Sequence, residues 1–284
     1  MSIVKGFRNF TGEHCATTAL RQVFRCRGIR LSEEMLLGLG EGVGFGCRMG
    51  KGMQALLLNM RGAGVLELEE NICKKLGIKM RVAKTKGKKE AEKDLMKMLE
   101  KGEPAVVYVD VRRLPYVPAG RVCHLGAHAV VVAEIDVAGR TALLADTDAA
   151  FHRVPLATLA DARYSACSPS PHDSTMLKFT YPKTLSPIAS AIESAAVGAA
   201  HNMLNSRDEN SGVRGIRLLA RGVASWPDQL GSKHVSQALR TAALLIEESG
   251  TGGGGFRKMY GRFLGEASRM LKDPEVAAHA AAVT

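Results

Sequence analysis

Three residues that are far apart in the sequence have the types that a nucleophilic enzyme site requires. Cys15 stands where a helix is predicted to begin, because apolar residues recur at helical spacing from position 16 to about 27. The positive end of a helix dipole favours the thiolate form of a thiol placed there. A thiolate nucleophile also needs a histidine to exchange its proton and a third group to orient that histidine.

Candidates for these two partners lie at the ends of neighbouring predicted strands. His128 opens the strand predicted at 129–135, and Asp146 closes the strand predicted at 141–146. A hairpin-sized connection joins the two strands, so an antiparallel pair would bring the two side chains together. A cysteine on an early helix, followed by His and Asp on adjacent strands, predicts a cysteine-dependent catalytic site.

Several neighbouring residues compete for these roles. His14 and His124 are alternative bases, and Asp148 is an alternative acid. Asn9 is a candidate donor for an oxyanion hole, together with the Cys15 backbone N–H. Each has an ordinary structural interpretation as well, because a lone cysteine or histidine is more often structural than catalytic.

Glycine-rich segments invite a nucleotide-binding interpretation, but their context does not support it. Gly50-Lys51 is followed by Gly52 rather than Ser or Thr, so the P-loop pattern fails. Residues 250–255 fit the spelling G-x-G-x-x-G, but they follow a predicted helix instead of a strand. The alternating glycines at 38–46 predict a loop or tight backbone packing. We therefore expect no nucleotide cofactor.

Composition excludes several classes of protein. The chain has 284 residues, of which 46% are hydrophobic and 24% charged, so it is not a disordered chain. Its length predicts about two domains. No run reaches the roughly 18–20 apolar residues of a spanning helix, and the first residues lack the apolar segment of a signal peptide. Six cysteines without C-x-x-C spacing argue against a disulfide framework or a zinc site. We expect a cytoplasmic protein without a metal or a membrane partner.

The net charge of +11 is concentrated in one stretch, residues 74–89, which contains no acidic residue. Such a surface favours an acidic partner, although it is also compatible with a simple solvated face. Nucleic acid is not expected, because aromatic residues are not interleaved with the basic ones and no recognition motif is present. The residues taken as a docking surface are Lys74, Lys75, Lys84, Lys86, Lys88 and Lys89.

The order of predicted elements indicates an α+β fold followed by a helical region. Helices come first and a run of strands follows within residues 1–170, whereas 171–284 is dominated by four predicted helices at 188–204, 213–226, 232–248 and 256–271. We therefore predict two domains that meet at residue 170. Exposed faces of the later helices suit a homodimer as readily as a lid over a site.

Two blocks of sequence resemble a known family. His14-Cys15-Ala-Thr-Thr-Ala-Leu, the glycine-rich stretch at 31–45 and the segments around His128 and Asp146 are similar to the N-terminal domain of the butirosin biosynthesis protein H family. Residues 212–217, 250–253, 256–257 and 263–264 resemble the uncharacterised helical domain that often follows it. The resemblance covers nearly the whole chain.

This resemblance implies a papain-like fold, with an N-terminal helix packed on an antiparallel sheet, related to bacteriocin-processing cysteine peptidases. It implies an acyltransferase of natural-product metabolism that moves an aminoacyl-type group from an acyl carrier protein to a small-molecule amine. Cys15 would be the nucleophile, His128 the general base and Asp146 the orienting acid. The peptidase relatives carry a Gln before the cysteine, where this chain has Asn9. Phosphopantetheine would arrive on the carrier, so the chain needs no cofactor of its own.

Two other functions use the same residues or the same fold. A cysteine peptidase or amidase would use the same triad with water as acceptor, and an inactive binding protein would keep the fold alone. In the transfer interpretation, the helical domain excludes water and its loop at Thr251, Gly252 and Gly253 contacts substrate.

Overall fold

A computed structural model of the chain describes residues 2–49, 56–118, 128–165 and 173–281. Its helices are α1 (Cys15–Arg25), α2 (Glu33–Leu39), α3 (Glu67–Leu76), α4 (Lys88–Glu100), α5 (Leu156–Arg163), α6 (Ile188–Leu204), α7 (Gly212–Glu247), α8 (Arg257–Leu271) and α9 (Pro274–Ala281). Its strands are β1 (Val43–Met49), β2 (Leu56–Arg61), β3 (Lys79–Ala83), β4 (Ala105–Val109), β5 (His128–Asp136), β6 (Thr141–Ala145), β7 (Phe151–Pro155) and β8 (Met176–Thr180). A 3₁₀ turn at Val111–Arg113 follows β4.

The chain divides into two compact units that do not follow its order. The first unit comprises Met1–Glu33 and Gly77–Lys183, and the second comprises Glu34–Leu76 and Thr184–Thr284. Residues 34–76 thus associate with the C-terminal helices. The domain boundary predicted at residue 170 stays a prediction.

The first unit is built on an antiparallel sheet of six strands in the order β3-β8-β4-β5-β6-β7. All five residues of β4 are buried, as are the first six of β5, so helices cover both faces of these strands. Helix α1 packs against β4 and β5 through its apolar face, and α4 and α5 also pack on the sheet. The predicted α+β class with antiparallel pairing is confirmed.

The β5–β6 hairpin fixes the relation between His128 and Asp146. In its register, Val131 pairs with Ala145 and Val132 with Leu144. Continued by one residue, this register places Asp146 opposite Val130, which lies on the same face of β5 as His128 because strand side chains alternate. The two candidate site residues are therefore diagonal neighbours across the hairpin, within reach of each other.

The second unit combines the two-stranded sheet β1–β2 with helices α3 and α6–α9. The prediction of a loop in the alternating glycines was wrong in part, because Gly44 and Gly46 lie in β1. A Cβ atom on Gly44 would come within 2.3 Å of the Gly62 nitrogen, so the glycine permits the close backbone approach that the same pattern also predicted. Helix α7 is interrupted at Gly231, near the predicted break between two helices. None of the helices that the structure describes has the length and apolar character needed to cross a membrane.

Candidate active site

Cys15 is the first residue of α1 and is half-buried. The preceding residue, His14, is extended (φ −128°, ψ 126°), and the Thr18 N–H donates the first helical hydrogen bond to its carbonyl at 2.9 Å. The N–H groups of the first turn, including that of Ala16, have no acceptor within the helix. They therefore present the positive end of α1 at the thiol.

His128 connects Cys15 to Asp146. Its Nε2 atom lies 2.8 and 2.9 Å from the two carboxylate oxygens of Asp146, and its ring also hydrogen-bonds the Cys15 side chain. Because Nε2 is engaged by Asp146, Nδ1 is the ring nitrogen that faces the sulfur. The structure thus brings the three residues predicted from sequence into one hydrogen-bonded chain.

The electrostatics of this chain favour charged partners on both sides of the imidazole. Burial alone would lower the pKa of His128, but the adjacent Cys15 and Asp146 raise it to about 10. Burial would likewise raise the pKa of Asp146, whereas the hydrogen bonds from His128, Tyr116 and the Thr147 N–H hold it below its usual value. A positive imidazole between the two residues favours the charged forms of its neighbours, the Cys15 thiolate and the Asp146 carboxylate.

Two further side chains support Asp146, and sequence reasoning missed both. The Tyr116 hydroxyl donates to Oδ2 of Asp146 at 2.9 Å, while its ring stacks on His152 with centroids 3.7 Å apart. Burial and the neighbouring carboxylate raise the pKa of Tyr116, so the hydroxyl keeps its proton. Gln22 on α1 donates to the Asp146 carbonyl at 3.1 Å. The signal that could have identified Gln22 is its position three residues after Ala19, which places a polar side chain on the apolar face of α1.

The competing candidates are engaged elsewhere or lie outside the described residues. Asp148 pairs with His152 at 2.9 Å, and its side chain is 56% exposed. The ring of His14 contacts the Thr17 hydroxyl of its own helix at 3.2 Å. His124 lies outside the described residues.

Asn9 is placed in a loop beside α1. Its side-chain nitrogen donates to the Ala150 carbonyl at 2.7 Å, and its oxygen accepts from Gln22 at 2.8 Å. Both ends of the amide are therefore used in holding the loop. A role of Asn9 in stabilising an oxyanion stays a prediction.

The predicted substrate loop belongs to the second unit. Thr251 is buried and its hydroxyl donates to the Ile246 carbonyl at 2.9 Å, whereas Gly252 and Gly253 have positive φ of 64° and 82°. The contact of this loop with substrate stays a prediction.

The predicted docking lysines divide between the two units. Lys74 and Lys75 lie on α3 of the second unit, and the amino group of Lys75 pairs with Glu41 at 2.6 Å with only 11% of its side chain exposed. The remaining four belong to the first unit and are exposed, and Lys88 forms an ion pair with Asp161. These four follow β3, the edge strand of the sheet, and are Lys84, Lys86, Lys88 and Lys89.

The other cysteines that the structure describes differ from Cys15 in their surroundings. Burial raises the pKa of the thiols of Cys26, Cys47 and Cys73, which makes them poorer nucleophiles at neutral pH. Across the described ranges, no three His, Cys, Asp or Glu side chains converge to hold a metal ion.

Comparison with known proteins gives two family matches along the chain. Residues 14–147 match the family described as butirosin biosynthesis protein H, N-terminal, and this match contains Cys15, His128 and Asp146. Residues 157–284 match a domain of unknown function, DUF4872. No curated protein matches the chain. The two matches follow each other along nearly the whole sequence, and they confirm the resemblance to the butirosin biosynthesis protein H family, with its N-terminal domain followed by a domain of unknown function.

Proposed function

We propose that this protein is a cysteine-dependent acyltransferase of natural-product biosynthesis, with a papain-like fold in its first unit. It moves an acyl group from a carrier-protein thioester to an amine through an acyl-Cys15 intermediate. The observation that carries the proposal is the hydrogen-bonded chain from Cys15 through His128 to Asp146 at the start of a helix. The match to a family named for a biosynthetic protein is consistent with an enzyme.

In the first half of the reaction, the Cys15 thiolate attacks the thioester carbonyl and a carbon–sulfur bond forms. The carbonyl oxygen becomes negative and is stabilised by N–H groups at the start of α1. The carbon–sulfur bond to the phosphopantetheine thiol then breaks. That thiolate takes the proton of the His128 imidazolium and leaves, and the acyl group stays on Cys15.

In the second half, neutral His128 accepts a proton from the acceptor amine as its nitrogen attacks the acyl-Cys15 carbonyl. The bond to sulfur breaks, an amide forms, and the thiolate–imidazolium pair is restored. Asp146 stays ionised throughout. Its carboxylate holds the imidazole in place and stabilises the positive form of the ring. Tyr116 helps by keeping the carboxylate oriented.

The basic segment after β3 is the proposed docking surface for the carrier. Acyl carrier proteins are typically acidic, and Lys84, Lys86 and Lys89 are exposed within a few residues of one another. Lys75 is left out of this surface, because Glu41 already neutralises it.

The decisive experiment is intact-mass analysis after incubation with acyl pantetheine thioesters. We expect an acyl adduct in wild type and in Cys26→Ala, which loses a half-buried thiol at the C-cap of the same helix, and none in Cys15→Ala. Peptide mapping places the adduct, and added amines should then discharge it as amide.

Three other outcomes lead elsewhere. An adduct that water discharges as fast as amines indicates a hydrolase such as a peptidase or amidase. An adduct that persists in Cys15→Ala refutes the assignment of the nucleophile. The lack of any adduct, with Cys15 no more reactive than Cys26, favours a binding protein on the same fold.

A further inference from the structure

A buried carboxylate that the reaction scheme does not use lies beside the segment that leads into Cys15. Glu33 is only 5% exposed. It accepts hydrogen bonds from the backbone N–H groups of Glu13, at 3.0 Å, and His14, at 2.8 Å. It also accepts from the hydroxyls of Thr17 and Thr18 at 2.9 and 3.0 Å. All four donors are neutral, and they come from the two residues before the nucleophile and from the first turn of its helix.

The segment before Cys15 is also held by a second contact. Gly12 donates its N–H to the carbonyl of Thr147, the residue after Asp146, at 2.8 Å. A Cβ atom on Gly12 would lie 1.9 Å from the Thr18 hydroxyl oxygen and 2.8 Å from Oε2 of Glu33, so only glycine fits between them. The segment that leads into Cys15 is therefore held between the Glu33 carboxylate and the strand end that carries Asp146.

We infer that Glu33 is a positioning residue for the nucleophile. Its carboxylate ties the Glu13–His14 backbone to the first turn of α1, and this sets where the Cys15 sulfur stands relative to His128. Misplacement of a reacting atom by about 1 Å costs on the order of 100-fold in rate. A role of Glu33 in catalysis rests on the proposed function, whereas its effect on the reactivity of the Cys15 thiol does not.

The two carboxylate oxygens of Glu33 accept different numbers of hydrogen bonds, and this difference suggests a conservative variant. Oε1 accepts from all four donors, whereas Oε2 accepts only from Glu13, whose N–H already reaches Oε1. Glu33→Gln can keep its oxygen at the position of Oε1, which all four donors reach, while it loses the charge and replaces Oε2 by an amide nitrogen that cannot accept from Glu13. Glu33→Ala removes every one of these bonds.

The test compares alkylation of Cys15 by iodoacetamide at neutral pH, followed by peptide mapping, with thermal unfolding of the same variants. Glu33→Ala should slow alkylation by about tenfold or more, whereas Glu33→Gln should stay within about threefold of wild type. Val154→Ala, a fully buried change on β7, is the control for lost stability. It should lower the unfolding temperature without slowing Cys15.

Rates of Glu33→Ala that equal those of Val154→Ala would overturn the inference, because the carboxylate would then serve stability alone. If Glu33→Ala does not fold, Thr18→Val removes a single donor and should slow alkylation by about threefold; an unchanged rate in that variant overturns the inference equally. Alkylation needs no thioester, so the two claims can fail separately. If wild type forms no acyl adduct but Glu33→Ala slows alkylation, the proposed function is refuted and this inference stands. If wild type forms the adduct but Glu33→Ala leaves alkylation unchanged, this inference is refuted and the proposed function stands.

Discussion

The charge of Asp146 should set the upper pH limit at which Cys15 and His128 remain an ion pair. A pKa of about 10 for His128, against an ordinary 6.5, corresponds to a preference of about 5 kcal/mol for the imidazolium. Cys15 and Asp146 supply this preference together, since burial acts in the opposite direction. A charge-assisted hydrogen bond contributes about 1.5–3 kcal/mol, which sets the scale of what Asp146 supplies.

Asp146→Asn removes that charge and keeps an oxygen to accept from His128. We expect the pKa of His128 to fall by about one to two pH units, which is the same energy expressed as a proton equilibrium. The ion pair should then be lost at a lower pH, although Cys15 and His128 keep their places.

Two alkylating reagents of different charge make this limit measurable. Iodoacetate is an anion, so it reacts readily while His128 is positive and slowly with an isolated thiolate, whereas neutral iodoacetamide follows the thiolate alone. The ratio of the two rates at Cys15 should drop near pH 10 in wild type and about one to two pH units lower in Asp146→Asn.

The matched control is Asp148→Asn, which removes an exposed carboxylate that pairs with His152 and should leave the midpoint in place. Equal midpoints in wild type and Asp146→Asn would refute the reasoning. A shift of the same size in Asp148→Asn would refute it as well, because a diffuse surface charge would then be the cause.

Three further perturbations test other parts of the molecule. Tyr116→Phe removes the hydroxyl that donates to Asp146 and should cost about 1 kcal/mol of unfolding free energy in chemical denaturation; an unchanged value would contradict the contact. Replacing Lys84, Lys86 and Lys89 together by Glu should raise the apparent KM for carrier-bound thioesters at low salt and spare pantetheine thioesters, whereas equal losses with both would argue against docking. Because the pKa of His128 is raised, its contribution to stability is complete below its unfolded pKa of 6.5 and is lost as the pH rises to about 10. The difference in unfolding free energy between wild type and His128→Asn should therefore shrink over that range, and a constant difference would show that the imidazolium does not stabilise the fold.

The core of the site could be predicted because its signals are local. Each strand of the β5–β6 hairpin is a run of buried aliphatic residues with a turn between them, and the register then follows from the hairpin itself. His128 lies at the start of one strand and Asp146 at the end of the next. Antiparallel pairing of the two strands therefore brings their side chains together. Cys15 could be placed because the apolar period of α1 begins directly after it.

The supporting residues could not be found in this way, because no local pattern links them to the site. Tyr116 lies thirty positions before Asp146 in an irregular segment, and its role depends on a single hydroxyl contact. Strand β7 was missed since its exposure alternates around polar residues such as His152 and Arg153, which gives little apolar signal at the sheet edge. The association of residues 34–76 with later helices is a tertiary choice that composition does not encode.

The supporting contacts also explain how residues from separate elements reach one point. The Gln22 side chain of α1 donates to the carbonyl of Asp146, and the Gly12 N–H donates to the carbonyl of Thr147, so α1 and the loop before it are both joined to the backbone of the strand end that carries the acid. The distance from the nucleophile to the acid is thus set by main-chain contacts as well as by the imidazole between them. A substitution at Gln22 or Gly12 should therefore disturb the placement of His128 between Cys15 and Asp146, so the loop before Cys15 is a working part of the site.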